Sequence, residues 1–149
     1  MWSDPSLVAT ARWFLEALSL AALLLPALYV AQQWSELPAR VPSHFDWRGR
    51  PDCWAGRWIL LVMLGVSAAL YAGMSVGGHT WRLISGDVET RMREALVMGF
   101  VKLGALLLSG YTVITMVRVA QGRASRFQVL AAAALAALMI VPAVLLDRR

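Results

Sequence analysis

Four apolar runs, Trp13 to Ala31, Trp58 to Val76, Ala95 to Val117 and Val129 to Leu146, constrain this chain more than any other feature of it. Each is about 18 to 23 residues long, enough at about 1.5 Å of rise per residue to cross a hydrocarbon core of ~30 Å. A backbone in hydrocarbon must satisfy its own hydrogen bonds, and runs of this length without strand-like alternation do so as helices, not as a barrel. The polar connections are short, so consecutive helices pack antiparallel. The expected fold is an all-α integral membrane protein: one domain over residues 1–149, four helices in an up-and-down bundle, and a structured loop between helices 1 and 2.

Composition agrees, with 59% hydrophobic residues, 15% charged residues and a positive mean hydropathy in a chain of 149. The net charge of +5 does not point to nucleic acid, because the 13 arginines and the single Lys102 are spread over several polar segments and form no one basic face. A lone Cys53 excludes an internal disulfide and a thiolate-rich zinc site. The first run follows Arg12 but contains Glu16 and ends at Leu28-Tyr29-Val30-Ala31, where Tyr29 spoils a small-x-small cleavage site; it reads as a span, not a signal peptide. Trp13, Trp34, Trp54, Trp58 and Trp81 fall at or just beyond span ends, as interfacial anchors do.

Within the spans, Gly65, Ala69, Gly73 and Gly77 recur every four residues and form one small face, suited to helix packing within the bundle or to a homo-oligomer seam. Pro26 and Pro142 each delete a backbone donor, and a kink is expected at Pro26. Glu16 and Lys102 are ionisable residues inside spans. Helices 1 and 3 start on the same side, so the two share a leaflet and either form an intramembrane ion pair or snorkel separately to the interface. Ser85-Gly86-Asp87 offers a turn and an N-cap for the third helix, with Glu89 in its first turn. The connection from Arg118 to Arg126 is a basic turn containing Gly122.

The connection between the first two spans carries the only dense polar chemistry. Pro38 and Pro42 push the residues before them toward extended backbone, giving a strand-like approach over Val41 to Phe45. Asp46-Trp47-Arg48-Gly49 has the residue types of a type I turn. Asp52 is expected to N-cap a helix running through Cys53 and Trp54 into the second span. No catalytic residue, cofactor or metal is expected. The strongest metal alternative is a site from His44, Asp46 and Asp52, since residues two apart on extended chain share a face. His44 as a general base lacks a nucleophile and a closed pocket, and a hydrogen-bonding or pH-sensing role is the plainer reading.

The run Leu37-Pro38-x-Arg40-Val41-Pro42-x-His44-Phe45-Asp46-x-x-Gly49-x-Pro51-Asp52-x-Trp54 resembles the motif of the domain of unknown function 1648 family, over roughly residues 10–80. That domain lies between two membrane helices and also opens SdpI-type immunity and signalling proteins. The resemblance implies a bacterial inner or plasma membrane protein, multi-pass and non-enzymatic. In the SdpI group it implies protection against a secreted peptide toxin and, in some members, sequestering of a repressor. Cys53 and Ala55 depart from the family pattern, and residues 95–149 carry no SdpI-type C-terminal signature. Contact with ligand or partner is expected at Pro42, His44, Phe45, Asp46, Gly49, Pro51, Asp52 and Trp54. The expected partners are membrane lipid, a peptide toxin, a membrane protein or a second copy of the chain, and no nucleic acid. Six arginines outside the spans on the side of the termini face seven in the first and third connections, so charge does not orient the chain. The resemblance to toxin-facing proteins favours cytoplasmic termini. An accessory subunit of a transporter and a metal-dependent membrane enzyme are the alternative functions.

Overall fold

The computed structural model describes residues 5–84 and 87–147, with the side chains of residues 5, 78–84, 89, 138, 139, 142, 143 and 145–147 outside the description. In chain order the elements are α1 (Pro5–Gln33), a 3-10 turn (Trp34–Glu36), β1 (Arg40–Phe45), β2 (Pro51–Gly56), α2 (Trp58–Ile84), α3 (Val88–Ala120) and α4 (Val129–Asp147). The expectation of an all-α fold is thus corrected by a two-stranded antiparallel sheet in the first connection. Three described helical segments, Ser6–Glu36, Trp58–Gly77 and Thr90–Ala120, are long and apolar enough to cross a membrane, and on that ground the chain is a multi-pass membrane protein in contact with lipid.

α3 is the hub. It packs on α1, α2 and α4, while α1 and α2 touch less and α4 rests chiefly on α3. Each helix touches its neighbour in sequence, and α1, α2 and α4 are arranged around α3. α1 and α3 run parallel, since Leu15 lies against Gly99, Pro26 against Gly110 and Gln33 against Gln121. The buried or half-buried positions Leu96, Gly99, Leu103, Leu106, Gly110, Val113 and Val117 alternate steps of three and four, which makes a seam of period 3.5 like that of a coiled coil. Its two glycines matter sterically: a Cβ at Gly110 would lie 2.6 Å from Pro26 Cγ, and one at Gly99 would lie 2.9 Å from Leu15 Cδ1. Pro26 sits within a continuous α1, its ring lodged where Gly110 leaves room.

α2 presents the other face from the one expected to pack. Gly65, Ala69, Gly73 and Gly77 are exposed, and a Cβ at Gly65, Gly73 or Gly77 would meet open space. The inward face carries Ser67, Tyr71 and Ser75, with Ser67 Oγ 2.6 Å from Ser109 Oγ on α3. The reason is physical: lipid solvates apolar surface as well as protein does, whereas hydroxyls need partners, so the polar stripe decides which way the helix turns. Asp87 takes the N-cap position of α3 without a side-chain bond to the helix backbone, its carboxylate accepting instead from Thr90 Oγ1, while the expected turn at Ser85-Gly86 and the side chains of Trp81, Glu89 and Pro142 lie outside the described residues. α3 ends in a Schellman motif, with Gly122 N donating to Val119 O, Arg123 N donating to Arg118 O, and Gly122 at φ +70°.

Candidate functional site

The first connection folds into a hairpin that caps the bundle at the C-terminal ends of α1 and α3. Leu37, Val41 and Pro42 are buried, and Leu37 and Val41 cluster with Val30, Leu60, Val113, Met116 and Val117. Burial of these side chains anchors the strand base to the helix ends. β1 and β2 pair as Arg40 with Gly56, Val41 with Ala55, Pro42 with Trp54, His44 with Cys53, and Phe45 with Pro51, with irregular register around His44. Across the turn, Gly49 N donates to Asp46 O and Asp46 N to Arg50 O, both at 2.8 Å, and Gly49 takes φ +76°. This is a three-residue loop in which a type I turn is followed by a left-handed glycine.

The turn uses up Asp46. Its Oδ1 accepts from Arg48 N at 2.9 Å and from Arg50 N at 2.7 Å, so the carboxylate is a backbone ligand of the turn. Asp52 is not an N-cap, because it lies within β2 and α2 starts only at Trp58. It reaches across the hairpin to His44, Oδ1 to Nδ1 at 2.7 Å, with side chains 46% and 67% exposed respectively. The structure therefore joins two of the three residues of the metal alternative and commits the third elsewhere. Among the described residues no three His, Cys, Asp or Glu side chains are grouped to hold a metal ion.

The hairpin tip docks on the connection between α3 and α4, a contact that sequence reasoning missed. Phe127 N donates to Gly49 O at 2.7 Å, the Phe45 and Phe127 rings lie 5.4 Å apart, and the Phe127 and Tyr111 rings meet edge-on at 5.1 Å. A Cβ on Gly49 would fall 2.0 Å from Phe127 O, so Gly49 is required by its conformation and by its neighbour. Arg123 ties the same connection to the end of α1 and the 3-10 turn after it, with Nη1 3.1 Å from Gln33 Oε1 and Nη2 3.3 Å from Glu36 Oε2. No local signal in the sequence marks Phe127.

These contacts divide the expected contact residues into two groups. Pro42 and Gly49 are buried and Phe45, Asp46 and Pro51 half-buried, and these five build the cap. His44, Asp52 and Trp54 are exposed, and so is Trp47 in the turn, 79% exposed, with the Arg48 guanidinium 4.4 Å above its ring. Arg57 stacks in the same way over Trp34 at 5.1 Å. The outer face of the cap is thus aromatic and cationic, with one imidazole-carboxylate pair.

A second polar cluster lies inside the helices, near the opposite end. Lys102 Nζ is 2.5 Å from Glu16 Oε2 and 3.2 Å from Ser75 Oγ, and Tyr71 OH donates to Glu16 Oε1 at 2.7 Å. Lys102, its side chain 7% exposed, does not reach out to the interface but stays within the helices, 5.0 Å from the centre of the Tyr71 ring. Tyr71 and Ser75 were not among the expected site residues, although their spacing of four from each other and from Ser67 was the available clue.

Residues 21–71, the second half of α1, the hairpin and the first half of α2, match the family model DUF1648, described as a domain of unknown function. No curated protein and no solved structure matches the chain.

Proposed function

We propose, from the premise that residues 21–71 are a DUF1648 domain in a multi-pass membrane protein, that the hairpin cap is a non-enzymatic receptor surface for an amphipathic peptide lying on the membrane. The observation that carries this reading is that Trp47, Trp54 and Arg48 are exposed on the same hairpin as the exposed His44 to Asp52 pair, while Pro42, Phe45 and Gly49 are buried or half-buried in the cap. Indole rings give large contact area at low entropic cost, and a guanidinium held over an indole offers a planar, pre-placed partner for carboxylates. Four arginines against two aspartates between residues 40 and 57 favour a peptide that carries acidic groups. Immunity to a secreted peptide toxin, or envelope signalling, is the biological setting that suits such a surface, in a bacterial membrane with both termini in the cytoplasm. His44 and Asp52 lie open to solvent on the hairpin, which supports recognition over catalysis in a closed pocket.

The test is binding of a synthetic acidic amphipathic helix to the nanodisc-embedded protein. Replacing Trp47 and Trp54 together by Ala should weaken binding at least tenfold, roughly 1.4 kcal/mol, with unchanged thermal stability. Unchanged affinity in the double variant would sink the proposal.

A second reading, contact with a membrane partner or a second copy of this chain, is favoured by the outward Gly65, Ala69 and Gly73 face of α2. Cysteine introduced at Gly73 in a Cys53→Ser background should then cross-link in native membranes, and Gly65→Leu should abolish that product. A cross-link that persists in Gly65→Leu would remove this face from the contact.

A further inference from the structure

The hairpin does not stand away from the helix ends but lies back along α3. Its base, Arg40 paired with Gly56, adjoins the start of α2, and at its tip Gly49 O accepts from Phe127 N at 2.7 Å. Phe127 sits edge-on against Tyr111, whose OH accepts from Gln128 N at 3.1 Å. Tyr111 is about nine residues short of the end of α3 at Ala120, some 13 Å by helical rise. Side chains on a helix lean toward its N-terminus, which carries the Tyr111 ring further still from that end.

The neighbouring helices set this level against the membrane. α2 runs antiparallel to α3, with Ser67 opposite Ser109 and Ser75 beside Lys102. Its apolar stretch opens at Trp58, about nine residues before Ser67, so Tyr111 lies about 10 Å to the membrane side of Trp58. α1 gives the same sense. Pro26 rests on Gly110 and the apolar run continues to Ala31, which leaves Tyr111 about 6 Å inside the end of that run. Both helices put the hairpin tip at the depth, about 5–10 Å into the boundary of headgroups and acyl chains, that amphipathic segments occupy on a bilayer.

The chemistry of the tip suits that depth. The N–H groups of Asp46, Arg48, Gly49 and Arg50 are all bonded within the hairpin, to Arg50 O, Asp46 Oδ1 and Asp46 O. This closure lets a turn enter a poorly hydrated layer without stranding those donors. At the tip Trp47 is 79% exposed, and next to Gln128 Leu130 is 87% exposed, so large apolar side chains point outward at this level. Arg48 is stacked over Trp47, and Arg126 is exposed beside Phe127. Indole favours the interface, and an arginine stem lies along acyl chains while its guanidinium stays among the phosphates.

We propose that the hairpin tip is seated in the phospholipid bilayer, with Trp47 at the boundary of headgroups and acyl chains and the Arg48 guanidinium at lipid phosphates. The seat holds with or without a peptide on the cap. It sets the cap at the level where membrane-bound peptides lie, and it keeps the tip from ligands that stay in water.

The experiment compares the two ends of the hairpin by spin labelling of the full-length protein in phospholipid nanodiscs, with no peptide present, so that the result bears on the seat alone. In a Cys53→Ser background a nitroxide is placed at Ala39→Cys beside the base, at Arg48→Cys in the tip, or at Val62→Cys, an exposed position about one turn into α2. Oxygen concentrates in the acyl layer and a polar nickel chelate is excluded from it, so the ratio of their effects on relaxation reports depth. The ratio at position 48 should exceed that at position 39 by about fivefold and approach that at position 62. A hairpin standing in water gives the reverse order, and a ratio at position 48 equal to or below that at position 39 would overturn the proposal. Trp47→Cys, labelled in the same way, repeats the comparison from the adjacent side chain, and an aqueous reading there would overturn it equally. Melting temperatures matching the Cys53→Ser parent show that each labelled protein is folded.

Discussion

Gly49 is the residue on which the cap turns. Its φ of +76° places it where a Cβ costs about 1–2 kcal/mol, and the same Cβ would run into the Phe127 carbonyl. Gly49→Ala should therefore destabilise the detergent-solubilised protein by about 2–4 kcal/mol, read as a fall in melting temperature, with faster amide exchange over residues 40–56 and at Phe127. Equal exchange in the two proteins would mean that the hairpin is not held by this contact. His44 and Asp52 give the opposite expectation. A hydrogen-bonded pair this exposed contributes under about 1 kcal/mol, so His44→Ala should leave the melting temperature within about 2 °C while lowering affinity for the acidic amphipathic peptide. A large fall in melting temperature would make the pair structural and take it out of the recognition surface. The motif residues thus separate by burial, not by residue type: Asp46 and Asp52 are both turn-prone acids, and only their partners in space distinguish the one that shapes the loop from the one that faces solvent.

Among the elements, the hairpin and the α1 to α3 seam were unequally legible. Pro38, Pro42 and the Asp46 to Gly49 turn write the first strand and its loop into the sequence, because proline and left-handed glycine act locally. β2 was misread as the start of a helix because Asp52 is as good an N-cap as it is a strand residue, and only pairing with β1 decides between them. The seam on α3 was present as a repeat of three and four, but in a run where nearly every residue is apolar the buried positions do not stand out. Glycine spacing on α2 was more conspicuous and pointed to the outer face, while Ser67, Tyr71 and Ser75 carried the inner one. The Glu16 to Lys102 contact gives this element-level account a test. Lys102→Met alone leaves a carboxylate without its charge partner inside the helices, whereas Lys102→Met with Glu16→Gln removes both charges. The single variant should be less stable than the double variant, as measured by denaturant unfolding in the same detergent. A single variant as stable as the double would show that solvent reaches Glu16 freely and that the pair contributes nothing to packing.

At the scale of the whole molecule, parallel α1 and α3 put the hairpin and the Phe127 connection on one membrane face and the polar cluster toward the other. Cys53, exposed and the single cysteine, reports on the hairpin face directly. With cytoplasmic termini, a membrane-impermeant maleimide added to intact cells should label Cys53. In a Cys53→Ser background, Gly122→Cys should label equally, because the tip of the hairpin and the turn after α3 share a face, and Asp87→Cys should label only after the membrane is opened. α4 completes the argument. It begins beside Tyr111, where Tyr111 OH accepts from Gln128 N at 3.1 Å, so the chain has already descended about nine residues, some 13 Å, along α3 before the helix starts. From there its 19 residues span about 28 Å, just short of a ~30 Å core. If α4 crosses, a cysteine at Arg149 behaves like the one at Asp87, shielded in intact cells. If it is labelled together with Gly122→Cys, the protein has three spans, α4 lies along one membrane face, and the side of α3 assigned to α4 faces lipid.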